Sequence, residues 1–287
     1  MSPQVWLITG ASSGFGALLA EGALKAGHHV IATARNPTKA AQDYPQIVSL
    51  GGKWLQLDVT ETDTKEKVEK AVMENGGYID VVINNAGYGL LGSIEDISGE
   101  ELHTQFNANV YGVIRVIKGV LPLMRGQRSG TIVNISSIAG FVAGPSTAAY
   151  SMSKFAVEAL AESLSAELSA FNIRVLVVEP GAFRTSFIGS HKLPAAGLNK
   201  DYEDTILART IHIWDTLAGK QPGDPVKAVS RMLEVIQGTG LAAGTPHFLR
   251  LPLGTDCFPR MQAKLQLVQQ NLDAMKEISL STAVDSE

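Results

Sequence analysis

The chain has 287 residues, 45% of them hydrophobic, enough to bury one large core, and α/β folds of this length commonly form a single domain. Its 24 basic and 28 acidic residues leave a net charge of -4, which gives no electrostatic case for a nucleic-acid or anionic-membrane partner and favours a small-molecule one. The lone Cys257 excludes an internal disulfide framework, and the six histidines never fall at metal-ligand spacing, so no metal site is expected.

Short β-branched runs alternate with longer helical patterns along the chain. The first strand is predicted at residues 5–8, followed at once by Thr9-Gly10-Ala11-Ser12-Ser13-Gly14-Phe15-Gly16 and a helical stretch at 17–26. Glycine permits left-handed turns and close backbone approach, and a helix N-terminus offers free N–H groups, so this segment reads as a phosphate cradle. Further strands are predicted at 29–32, running into Thr33-Ala34-Arg35, at 54–57, before Asp58-Val59, and at 81–83, running into Asn84-Asn85-Ala86-Gly87. Leu102, Phe106, Val110, Val113, Ile114, Ile117 and Leu121 then recur at three- and four-residue spacing, the pattern of one amphipathic helix.

The fifth strand, 131–133, ends in Asn134-Ile135-Ser136-Ser137, and Tyr150 follows Ser137 by thirteen residues, with Lys154 one helical turn further on. Residues four apart share a helix face, so the ammonium can approach the phenol, whose ordinary pKa is about 10, and a nearby cation favours the phenolate. The sixth strand, 174–178, leads to Pro180-Gly181. Residues 182–225 break the rhythm with Gly, Pro and aromatics and read as an insertion beside the sheet. A seventh strand is expected at 247–251, an amphipathic helical extension at 261–279, and a frayed tail at 282–287. Strands that are apolar without alternation are covered on both faces, which predicts a doubly wound, parallel, seven-stranded α/β sheet of the Rossmann type with helices on both faces.

Over about residues 4–255, the order of the cradle, Asn84 to Gly87, Ser137, Tyr150-Ser151-Met152-Ser153-Lys154 and Pro180-Gly181 resembles the short-chain dehydrogenase/reductase family. The resemblance implies that Ser137 orients the substrate oxygen, Tyr150 transfers the proton, Lys154 holds the nicotinamide ribose and lowers the tyrosine pKa, and Asn109 supports a water relay. Ser136 and Asn107 are the neighbouring rivals for two of these roles. Family spacing to Tyr150 favours Ser137, and the Asn-x-x-Gly pattern favours Asn109. It further implies a dinucleotide held by Gly10, Ser12, Ser13, Gly14, Phe15 and Gly16, by Asp58 and Val59 at the adenine, by Asn85, Ala86 and Gly87, and by Tyr150, Lys154, Pro180, Gly181, Phe183 and Thr185 at the nicotinamide end.

An Asp or Glu at the end of the second strand would bind the ribose 2′-hydroxyl of NAD. Ala34 stands at that position and Arg35 follows it, removing repulsion and supplying a guanidinium, so NADP(H) is the expected cofactor. Hydride transfer reducing a carbonyl is the expected reaction. A non-catalytic NADP(H)-sensing protein, or an isomerase or dehydratase on the same scaffold, are the alternatives. Phe141, Phe183, Phe187 and Trp214, with Ser137 and Tyr150, suggest a site for a lipophilic or aromatic ketone. Small residues between Phe155 and Phe171 suit close helix packing, and the resemblance implies a homodimer or homotetramer through that helix and the one before it. No basic region followed by an apolar run opens the chain, and no apolar stretch approaches the roughly 20 residues that span a bilayer, so a cytoplasmic location is expected.

Overall fold

An apolar run with no polar face persists as a strand only where both sides are covered. The computed structural model, which describes residues 2–284, contains seven strands, the inner ones of this kind and the edge strands β3 and β7 only half-covered: β1 (Val5–Ile8), β2 (His29–Ala34), β3 (Lys53–Gln56), β4 (Val81–Asn84), β5 (Gly130–Ile135), β6 (Ile173–Pro180) and β7 (Arg250–Leu253). They form one sheet in the order β3-β2-β1-β4-β5-β6-β7, and every pairing is parallel. Ten helices connect and cover them: α1 (Gly14–Lys25), α2 (Pro37–Asp43), α3 (Pro45–Ser49), α4 (Thr64–Glu74), α5 (Gly99–Phe106), α6 (Gly112–Gln127), α7 (Ala148–Leu168), α8 (Ile206–Leu217), α9 (Pro225–Gln237) and α10 (Cys257–Leu280).

Successive strand residues point to opposite faces, and both faces are dry. Trp6, Ile8, Val81 and Ile83 pack with Leu19 of α1 and Met232 of α9, while Leu7, Val82 and Ile132 pack with Val68 of α4, Val116 of α6 and Leu164 of α7. The helix pair α1–α9 approaches closely because Gly22 has no side chain: a Cβ there would lie 2.6 Å from Leu233 Cδ1. The strand order reverses between β1 and β4, and a doubly wound sheet opens its ligand crevice at the C-terminal ends of the strands flanking such a reversal. The segments Thr9–Gly16 and Asn84–Gly87 both leave strands there.

Four details differ from the sequence expectation. The helix predicted across residues 102–121 is interrupted by a π-turn at Asn107–Tyr111, which adds one residue to a turn and rotates the side chains beyond it. Strand β7 begins at Arg250, not at 247, because the Phe248 amide turns back to the Pro246 carbonyl. Helix α10 starts at Cys257, ahead of 261, since Pro259 falls in the first turn, where its missing N–H costs no bond. The insertion at 182–225 contains α8, is joined to the rest of the chain by an isolated parallel bridge of Lys192 with Leu90, and is closed on itself by one of Phe183 with Gly223. Residues 285–287 of the expected frayed tail lie outside the described residues. Among the described residues, no helix is long and apolar enough to cross a membrane.

The core sets a first measurable expectation. Leu176 of β6 is fully buried between the sheet and its covering helices. Leu176→Ala should lower the free energy of unfolding by about 2–5 kcal/mol in urea denaturation, through lost transfer energy and a residual cavity.

Candidate active site

The turn after β1 is shaped by what it must pass. Gly10 has φ +64° and Gly14 φ +52°, left-handed conformations that suit glycine. A Cβ on Gly16 would lie 2.4 Å from the Gly10 carbonyl oxygen and 2.6 Å from Asn85 Nδ2, so only glycine fits under the cradle. Asn85 stitches the cradle to the β4 end: its Nδ2 donates to the Thr9 and Gly10 carbonyls at 3.0 and 3.1 Å. The Thr9 hydroxyl accepts from the Asn85 and Ala86 amides at 2.9 and 3.1 Å. Ser12 and Ser13 are exposed, and Ser13 precedes α1 without capping it, leaving its hydroxyl free.

The adenine-side residues named from the sequence lie beyond β2 and β3. Arg35, Leu55, Gln56, Asp58 and Glu61 line one cleft of about 620 Å³, with Arg35 exposed and Ala34 buried. Asp58 is partly committed to its own turn, accepting from the Thr60 amide at 3.0 Å and the Thr60 hydroxyl at 2.7 Å. Val59 is packed under Gly112.

The β5 end and α7 meet at the centre of the crevice. Tyr150 is buried, and burial pushes its pKa up to about 12, with a hydrogen bond with Ser137 pulling the other way. Lys154, one turn on, donates from Nζ to the Ile135 carbonyl at 2.7 Å and lies 5.8 Å from the Tyr150 ring centroid. Burial pulls its pKa down to about 8, opposed by the charge of Glu158. Against the expected pull of the lysine on the phenol, desolvation is the largest influence on both groups here and pushes each toward its neutral form.

The neighbouring rivals point in different directions. The π-turn directs Asn109 inward, where its Nδ2 donates to the Tyr88 carbonyl and to Ser153 Oγ, both at 3.0 Å, and its Oδ1 accepts from the Tyr88 amide at 3.1 Å. Asn107 instead donates to the Thr60 carbonyl at 3.3 Å, on the adenine side. Ser137 faces Tyr150, while Ser136 faces Glu158. Gly87 sits between Asn109 and Lys154, since a Cβ there would lie 3.0 Å from Asn109 Oδ1 and 3.8 Å from Lys154 Nζ.

Of the aromatic residues named for the substrate, Phe187 comes to the site, its ring 5.7 Å from that of Tyr150. The other three have different partners. Phe183 packs edge-on against Phe15 at 5.3 Å, Phe141 lies under the Arg250 guanidinium at 5.7 Å, and Trp214 contacts His191 at 6.1 Å. Thr185 faces the cradle, 3.4 Å from where a Gly14 Cβ would be. Pro180-Gly181 is held by the Gly181 amide donating to the Leu253 carbonyl at 2.8 Å, and Asp256 accepts from the Ala182 amide at 2.9 Å. A side chain on Gly181 would overlap Asp256. Asp256, Glu158, Glu179 and Arg250 escape a sequence reading. Only Glu158 carried a signal, lying four residues past Lys154 as Lys154 lies past Tyr150.

The family model described as short chain dehydrogenase matches residues 4–193. The chain belongs to that family. Oxidoreductase claN of Passalora fulva is 49% identical over 191 residues, covering 66% of this chain and 87% of that one. A 3-ketodihydrosphingosine reductase of Bacteroides thetaiotaomicron is 40% identical over 208 residues, covering 72% and 74%. A short-chain dehydrogenase structure from Streptomyces avermitilis superposes with a TM-score of 0.85 at 36% identity, covering 99% of this chain and 100% of the other. The dehydrogenase is an oxidoreductase of this type, built on the family's Rossmann sheet.

Burial of Lys154 has a stability consequence. Below about pH 8 the folded dehydrogenase holds a desolvated cation that the unfolded chain keeps in water. Between about pH 8 and the ordinary lysine value of 10.5 the folded state binds fewer protons than the unfolded one, so stability rises with pH across that window. Lys154→Met should therefore melt higher than the parent at pH 7, by about 2–4 °C for each kcal/mol recovered. Thermal melts at pH 7 and pH 10 should show the advantage shrinking at the higher pH.

Proposed function

We propose that the dehydrogenase is an NADP(H)-dependent carbonyl reductase acting on a lipophilic or aromatic ketone. The observation that carries this reading is the convergence of Tyr150, Ser137, Lys154 and Asn109 at the ends of β4 and β5, beside a cradle that any Cβ on Gly16 would fill. Gly10, Ser12, Ser13, Gly14 and Gly16 would hold a pyrophosphate by backbone N–H groups at the start of α1, and Arg35 would hold a ribose phosphate. When bound, the nicotinamide cofactor supplies the hydride.

The chain's own residues then manage one proton and one oxygen. Ser137 holds the substrate oxygen, and Tyr150 gives that oxygen its proton as negative charge develops on it. The Tyr150 phenol, pushed up to about 12 by burial, is protonated at neutral pH and can give a proton to a carbonyl oxygen. The Lys154 cation, near Tyr150, stabilises the phenolate left behind. Asn109 fixes the Gly87-Tyr88 segment at both the amide and the carbonyl of Tyr88. Phe187 against Tyr150, with buried Leu90 and Ile188 nearby in the chain segments that bridge, supports an apolar substrate, as does likeness to a reductase named for a keto lipid. Pairing of copies through α6 and α7 belongs to the same proposal, supported by the exposed Tyr111, Met152 and Phe155. A monomer mass in light scattering at micromolar concentration counts against that pairing.

Tyr150→Phe should keep the fold and cofactor affinity but lower kcat at least roughly 100-fold in NADPH absorbance assays over a ketone panel. Ser137→Ala should be comparably severe and Ser136→Ala milder. Near-normal turnover of Tyr150→Phe removes it from the proton transfer.

Cofactor preference is tested at Arg35. A charge-assisted contact contributes about 1.5–3 kcal/mol, or roughly tenfold to a hundredfold in affinity. Arg35→Ala should weaken NADPH by about that factor and leave NADH nearly unchanged in calorimetry at fixed ionic strength. Equal losses for both cofactors would show that Arg35 does not read the phosphate.

A further inference from the structure

Behind the catalytic groups lies a second buried set of charges that the proposed reaction does not use. Glu158, on α7 one turn past Lys154, is 4% exposed, and Glu179, on β6, is fully buried. Arg250 of β7 pairs with both through Nη1, at 2.6 Å to Glu179 Oε1, and reaches the exposed Glu162 through Nη2. The Ser136 hydroxyl faces Glu158, and neither Ser136 Oγ nor Glu158 Oε1 makes a hydrogen bond among the described residues. Gly140 makes room for this approach, because a Cβ there would come within 2.6 Å of Ser136 Oγ and 3.0 Å of Glu158 Oε1.

The arrangement is a register between one helix face and one strand end. Residues 150, 154 and 158 lie four apart, so their side chains line one stripe of α7. Each meets one of three consecutive residues leaving β5: Lys154 meets the Ile135 carbonyl, Glu158 meets Ser136, and Tyr150 meets Ser137. We propose that Glu158, clamped by Arg250 and facing Ser136, is a positioning residue that keeps Lys154 cationic and fixes the strand end bearing the catalytic serine. This rests on the proposed reaction for its consequence in turnover but not for the charge of Lys154.

Around Lys154, its own helix offers Tyr150 and Glu158, the β5 end a neutral carbonyl and the π-turn the amide of Asn109, and among these Glu158 is the anion. Glu158 in turn is faced by Arg250 from β7, Glu179 from β6 and Ser136 from β5, with Lys154 one turn earlier on its own helix and Glu162 acting through Arg250. Behind them the Cys257 thiol donates to the Glu179 carbonyl and is kept neutral by burial, which pushes its pKa up to about 11. Burial and Glu179 push Glu158 up to about 7, against Ser136 and Arg250. The supporting charge thus grows as pH rises through neutrality, ahead of the range in which Lys154 gives up its proton.

Carbon-13 NMR titration of the lysine Cε resonances of the full chain reads this ammonium without cofactor or substrate, Lys154 being identified by its loss in Lys154→Met. In Glu158→Gln, Lys154 should release its proton about one pH unit lower than in the parent, the scale of a partly screened charge one helical turn away. Ser136→Ala removes the hydroxyl that favours the carboxylate and should shift Lys154 the same way by less, with kcat reduced and KM for NADPH unchanged. The alkaline limb of the kcat/KM profile for carbonyl reduction should move down with the NMR titration in Glu158→Gln. An unchanged Lys154 titration in Glu158→Gln overturns the proposal, and if that variant does not fold, an unchanged titration and kcat in Ser136→Ala overturns it. A parent that reduces no carbonyl sinks the proposed reaction alone, because the NMR titration needs none.

Discussion

Lys154 carries its ammonium into a place without water, and much of the surrounding architecture answers that cost. A buried cation needs donors satisfied and counter-charge nearby, or it surrenders its proton. The Ile135 carbonyl, at the last residue of β5, satisfies one N–H. The counter-charge comes from Glu158, itself buried and therefore dependent on Arg250. The chain of dependence runs from the active site through α7 to β6 and β7, which is why the last strand of the sheet bears on groups at its middle.

The crevice at the strand reversal is made by subtraction. Gly10 and Gly16 let the β1 turn fold beneath Asn85, Gly87 leaves space between Asn109 and Lys154, and Gly181 leaves space for Asp256. Each removes a Cβ where backbone meets backbone or a polar side chain, and the polar groups so exposed to one another are stitched by Thr9, Asn85 and Asn109. The π-turn belongs to the same economy of space. Across it, Asn107 points at Thr60 and Asn109 at Tyr88.

The sheet was legible because its evidence is local and redundant: seven apolar runs, each bounded by turn residues, with long amphipathic stretches between. Tyr150 and Lys154 were marked by spacing, and Ser137 and Asn109 by resemblance to the family, and the structure brings these four side chains to one end of the sheet, with their roles left to the proposal. What stayed hidden depends on contacts distant in sequence. Arg250 joins Glu158 and Glu179 across 92 and 71 residues, and Asp256 reaches Ala182 across 74. Nothing in the local pattern marks such pairs. The π-turn stayed hidden because one extra residue barely disturbs a three- and four-residue repeat. Phe141, Phe183 and Trp214 were grouped by hydrophobicity, which does not say whether a ring lines a pocket, packs on Phe15 or carries a guanidinium on its face.

The two ends of the crevice work under opposite electrostatic regimes, and this divides labour within the site. Arg35 stands in solvent beside an open cleft, where a charge attracts at range but is weakened by salt and contributes modestly. Tyr150 and Lys154 lie where water is excluded, so the same unit of charge acts strongly over a few ångströms and is barely screened. Arg35 lies just past the end of β2, apart from the buried network. Tyr150, Lys154 and Glu158 share one helix face and meet three consecutive residues at the end of β5, Ser137, Ile135 and Ser136, so a change at one position bears on the surroundings of the others.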